Sequence, residues 1–126
     1  MVLLAVVVGL RPRSTSKQRI ETPLVLAPPG GRVIVEVLNG TRRQGAARAA
    51  TRMLRRQGLD VVFLGNADSL AESTRVVARR GDSVRARYVA AALGTGLVLV
   101  ETDTFRRVDV SVILGEDFRP ASDLHP

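Results

Sequence analysis

The sequence predicts an α/β fold: a two-layer sandwich in the order β-α-β-β-α-β-β, a mixed sheet with two helices on one face. Three observations carry this reading. Val33, Ile34, Val35, Val37 and Leu38 form an apolar run, rich in β-branched residues and broken only by Glu36. A stretch with helical periodicity follows at once, and a second apolar strand, Asp60–Leu64, comes directly after it. Near the end, Val108, Val110, Val112 and Leu114 alternate with Asp109, Ser111 and Ile113.

The first strand ends at Asn39-Gly40. Thr41 and Gln44 then stand at capping-box spacing, so a helix is expected from there to about Gln57, stopped by Gly58. At 100° per residue, Ala46, Ala47, Ala50, Met53 and Leu54 share one arc, and Arg48, Arg52, Arg55 and Arg56 the opposite one. Short joints to Asp60–Leu64 make this a βαβ unit, with parallel strands and a right-handed crossover; Gly65-Asn66 is expected to turn out of the strand. Thr74–Arg80 alternates Arg75, Val77 and Arg79 with Val76, Ala78 and Arg80, which predicts a half-exposed strand. Gly81-Asp82-Ser83 supplies a turn and an N-cap for a second helix, Ser83–Leu93, ended by Gly94. Two stripes compete on that helix: Val84, Tyr88, Ala91 and Ala92 against Val89 and Leu93. Leu97–Val100 and Val108–Leu114 complete the sheet, and a split βαβ arrangement with one added strand fits this order.

The chain has 126 residues, enough for one domain. Nineteen basic side chains against twelve acidic ones give a net charge of +7. With no cysteine, disulfides, thiolate metal sites and cysteine nucleophiles are excluded. The single His is His125, next to the last residue. That removes the easiest general base and the His-ligated zinc readings. No catalytic residue, metal ligand or cofactor site is therefore assigned, and the chain reads as a non-enzyme.

Residues 32–119 form the domain. Residues 1–10, MVLLAVVVGL, are uncharged and almost wholly apolar. As a helix they would reach about 15 Å, half of a bilayer core. Three readings compete: part of a transmembrane anchor, a short interfacial or signal-like segment, or a buried or loose apolar end. The first is preferred, because Arg11, Arg13, Lys17 and Arg19 follow in a polar stretch like a juxtamembrane exit. Residues 11–31 read as a Pro/Gly/Ser linker, spanning roughly 25 Å as a coil, in which Leu24–Ala27 could form a short edge strand. Residues 120–126 are expected to be a flexible tail.

Several landmarks stand in a row: Val33-Ile34-Val35-Glu36-Val37-Leu38-Asn39-Gly40-Thr41, Gly45-Ala46-Ala47, Leu54 to Gly58, Val61-Val62 and Gly65-Asn66-Ala67-Asp68. The last is Val108-Asp109-Val110-Ser111-Val112-Ile113-Leu114-Gly115-Glu116-Asp117-Phe118. Together they resemble the LytR C-terminal domain family, a small extracytoplasmic module of bacterial envelope proteins. In that family the module often follows a LytR–CpsA–Psr catalytic domain, which attaches anionic glycopolymers to peptidoglycan. It also stands alone behind a single membrane anchor and linker, and this chain is similar to the second kind. The resemblance implies a cell-membrane location with the domain outside the cytoplasm. It brings no catalytic residue, and the expected anchor is only half present.

The main candidate site is basic. Residues 42–56 hold Arg42, Arg43, Arg48, Arg52, Arg55 and Arg56 with no acid, and residues 75–87 hold Arg75, Arg79, Arg80, Arg85 and Arg87 against Asp82. Guanidinium forks suit phosphate and carboxylate oxygens, so the partners expected are an anionic cell-wall polymer or an envelope protein, with the membrane reached through the N-terminal segment. The bland alternative is a solvated helix face. Asn39, Gly40 and Thr41 are a candidate anion nest, with turn chemistry and capping as its alternative. Nucleic acid is the rival partner for the charge, in a small cytoplasmic basic protein. Against it stand the absence of helix-turn-helix and zinc patterns and the scarcity of aromatics: Phe63, Tyr88, Phe105 and Phe118 are all there are. A third reading, carboxylate chemistry, requires a pocket lined by at least two of Glu101, Asp103 and Asp109. Glu116 and Asp117 read as structural.

Overall fold

A computed structural model of the chain describes residues 31–120. Seven elements follow in the expected order: β1 (Ile34–Asn39), α1 (Ala46–Arg56), β2 (Asp60–Asn66), β3 (Arg75–Ala78), α2 (Val84–Leu93), β4 (Leu97–Val100) and β5 (Val110–Leu114). They build one five-stranded sheet in the order β2-β1-β5-β3-β4. The partial anchor, the linker with its Leu24–Ala27 strand, and the tail beyond residue 120 lie outside the described residues.

Each βαβ unit keeps its two strands adjacent and parallel, β1 with β2 and β3 with β4. The last strand joins the units, parallel to β1 and antiparallel to β3. Neither unit is split, contrary to the expectation. β5 is buried at all five positions and takes the centre of the sheet, with a strand paired on each side.

One face of the sheet packs under both helices. Val35, Val37, Val61, Val76, Ala78, Val110, Val112 and Leu114 meet Ala46, Ala50, Leu54, Ala86, Val89 and Leu93 in a single core closed by Phe118. On α2 the Val89–Leu93 stripe, with Ala86, is the buried one, while Val84 is exposed.

Three local expectations are corrected. α1 starts at Ala46 and its N-cap is Gly45, at φ 83°, with no side-chain cap. The Thr41 box does not form, because the Thr41 hydroxyl donates to Asn39 Oδ1 (2.7 Å) and accepts from the Arg43 amide (3.0 Å). β2 continues through Gly65-Asn66 rather than turning there, since both residues pair with the end of β1. β3 is not half-exposed: Val76, Val77 and Ala78 are all buried, because β5 and β4 flank it on both sides.

Candidate functional site

The arginines of residues 42–56 fall into two groups. Arg48, Arg52 and Arg56 are exposed and stand four residues apart along α1. This spacing puts them on one side of the helix at about 6 Å intervals. No hydrogen bond or ion pair to these three guanidinium groups occurs among the described residues. Arg48 also borders a shallow hollow with Asn39, Gln44, Leu64 and Asn66.

The other arginines hold the fold. Arg43 Nη2 donates to the carbonyls of Phe118 (2.8 Å) and Glu116 (3.3 Å), and its Nε lies 3.6 Å from the Glu116 carboxylate. Arg55 Nη2 donates to the Val61 carbonyl at 2.8 Å, tying the end of α1 to β2. Arg42 contributes its amide, which donates to Glu116 Oε2 at 2.7 Å.

The Asn39-Gly40-Thr41 corner spends its amides internally. Gly40 N–H donates to the Leu114 carbonyl (2.9 Å), and Thr41 N–H donates to Asn39 Oδ1 (2.9 Å). The carboxylate at this corner is the protein's own, on Glu116. The structural reading of Glu116 and Asp117 thus has a geometric basis: Asp117 Oδ1 accepts from both the amide and the hydroxyl of Thr74.

Sequence reasoning missed the uncovered face of the sheet. Glu36, Leu38, Phe63, Arg75, Val77, Arg79, Glu101, Arg106 and Ile113 line an open groove there of about 430 Å³. Its polar end is a closed network. Glu36, only 8 % exposed, accepts from the Ser111 hydroxyl (2.5 Å) and from Arg106 Nη1 (2.6 Å). Arg79 Nε donates to the same hydroxyl at 3.0 Å, and its Nη1 to the Glu101 carbonyl at 3.1 Å. The signal available in the sequence was Glu36 itself, an acid inside an apolar run.

Of the three acids proposed for carboxylate chemistry, only Glu101 lines the groove. Asp109 Oδ2 accepts the Ile34 amide at 2.9 Å, and Asp103 Oδ1 the Phe105 amide at 3.0 Å. The paired-carboxylate requirement is not met. Among the described residues no group of three or more His, Asp or Glu side chains could hold a metal ion, and no helix is long and apolar enough to cross a membrane.

Residues 32–118 match the family model described as LytR cell envelope-related transcriptional attenuator, LytR_C. The fold is similar to a crystal structure of the soluble domain of a conserved hypothetical secreted protein from Mycobacterium marinum, an Rv2700 ortholog. That likeness has a TM-score of 0.52 and 23 % identity, over 76 % of this chain and 67 % of the other. A solution structure of the C-terminal domain of RV0431 matches with a TM-score of 0.43 and 23 % identity, over 85 % of this chain and 91 % of that one. No curated protein sequence matches the chain significantly.

Proposed function

Since the chain belongs to the LytR_C family of cell-envelope-related domains, we propose that it is a non-catalytic extracytoplasmic module that holds an anionic wall polymer through α1. Its N-terminal apolar segment tethers it to the membrane. The observation that carries the polymer reading is the row Arg48, Arg52 and Arg56, exposed and without a partner among the described residues, beside Arg55 of the same helix, which has one. Guanidinium groups repeating at about 6 Å fit a chain of phosphates or carboxylates better than one small anion. Support for the location comes from the family description and from the M. marinum neighbour, a domain of a conserved hypothetical secreted protein. A net charge of +7 serves nucleic acid equally well, but the uncovered sheet face offers a single aromatic, Phe63, for base stacking.

Two measurements test this. Purified full-length chain should be retained on isolated wall material at low salt and released as salt rises. Replacing Arg48, Arg52 and Arg56 together by Gln should weaken retention about tenfold, each exposed contact being worth roughly 0.5 kcal/mol. Equal retention of the variant rejects the arginine row. Protease added to spheroplasts should digest the domain in the membrane fraction; a soluble, protected protein rejects the envelope location and turns the test to nucleic acid.

A further inference from the structure

One apolar side chain stands apart from all others in the described domain. Phe105 is 95 % exposed, in the loop between β4 and β5, and it precedes Arg106 and Arg107. The loop is held, not loose. Asp103 N–H donates to the Arg79 carbonyl (3.2 Å), Arg106 N–H to the Asp103 carbonyl (3.2 Å), and Phe105 N–H to Asp103 Oδ1 (3.0 Å). Arg80 clasps it from outside, donating to the carbonyls of Asp103 and Arg106. A built loop thus presents an aromatic ring to solvent where burial would ordinarily remove it.

The position of this loop matters. Asp109, at its end, exchanges hydrogen bonds with Ile34, the first residue of β1, through its amide (2.8 Å) and its carboxylate (2.9 Å). The described chain begins at residue 31, three residues before Ile34, so the N-terminal segment enters the domain at the same pole as Phe105. The C-terminal end of α1 reaches that pole too, since Asp60 N–H donates to the Val33 carbonyl at 2.9 Å just after it. Exposed Arg56 and exposed Arg107 therefore share the pole with the ring.

We infer that this pole is a bilayer contact: Phe105 enters the headgroup region of an anionic membrane while Arg107 lies among lipid phosphates. The chemistry is that of an interfacial anchor, an aromatic ring at headgroup depth with an arginine at the phosphate level. This inference rests on the tethering proposed above, which confines the domain to within a linker's length of the membrane. The loop then fixes which pole faces the bilayer and leaves Arg48, at the opposite end of α1, turned away from it.

The chain contains no tryptophan, so F105W supplies a single fluorescent reporter. The full-length variant is reconstituted with phosphatidylglycerol-containing vesicles and with purely zwitterionic ones, and floated on a density gradient. The expected result is co-flotation, with blue-shifted emission that brominated lipids quench on the anionic vesicles. Adding Arg107→Glu should cut that quenching at least twofold without moving the thermal melt. Co-flotation with emission like that of the indole in water overturns the inference and spares the tether. Failure to float overturns the tether and the inference together.

Discussion

The carboxylate of Asp117 accepts both the amide (2.9 Å) and the hydroxyl (2.7 Å) of Thr74, and that hydroxyl accepts the Gly115 amide at 3.0 Å. These contacts fasten the segment after β5 to the residue just before β3. Thr74 is 1 % exposed, so none of its polar atoms has water to fall back on. Thr74→Val should leave the Gly115 amide and the Asp117 carboxylate short of partners and cost about 2 kcal/mol. Asp117→Asn, which keeps an acceptor, should cost about half as much. Urea unfolding of the two variants checks the order; equal costs would mean that the negative charge, not the bond count, holds the clasp.

Glu36 sits mid-strand with Ser111 and Arg106 on one carboxylate oxygen. A buried acid adds little net stability while paired, but removing one partner strands the other. Ser111 is fully buried, whereas the Arg106 side chain is 41 % exposed and can recruit water. Glu36→Ala, which leaves Arg106 to water and Ser111 to Arg79, should therefore cost about 1 kcal/mol, and Arg106→Ala, which leaves the buried carboxylate without a counter-charge, about 2 kcal/mol. A double-mutant cycle should give more coupling for Glu36 with Arg106 than with Ser111; the reverse ranking would place the network's strength in the hydroxyl bond.

These two clasps mark where sequence reading runs out. The strands around Val35 and Val112 were legible because long apolar runs leave few other fates. The start of α1 was not, since Thr41 had two uses: capping a helix, or bonding Asn39 and Arg43 locally. The seat of β5 between the two βαβ units depends on pairing across more than seventy residues, which no local pattern encodes. The alternation in Thr74–Arg80 was real, but flanking strands on both sides buried Val77 along with Val76 and Ala78. For the site, residue type identified the arginines and could not sort them. Arg43 and Arg48 look alike until the Glu116 segment is in place.

Gly115 and Gly45 separate two reasons for glycine. A Cβ at Gly115 would stand within 3 Å of Ser73 backbone atoms, so the chains cross too closely for any side chain. At Gly45 a Cβ would meet nothing within 4 Å, and only the positive φ of 83° resists substitution. Gly115→Ala should cost about 3 kcal/mol, because backbone must move. Gly45→Ala should cost about 1 kcal/mol, the strain of a left-handed residue. For a domain of this size each kcal/mol is worth about 4–8 °C in Tm, so thermal melts resolve the pair.

The division of the arginines is itself testable. Arg43 reaches two C-terminal carbonyls and the Glu116 carboxylate, and its side chain is only 36 % exposed. Arg43→Ala should unfasten the end of the domain, leaving those acceptors to water, and cost about 1–2 kcal/mol. Arg52→Ala lies on the exposed face with nothing to release, and alanine propagates a helix at least as well, so stability should hold or rise slightly. Wall retention should respond in the opposite sense: impaired by Arg52→Ala in the folded protein, and impaired by Arg43→Ala only where the melt shows unfolding. A variant of Arg43 that stays folded and still loses retention would move that residue from the clasp to the binding face.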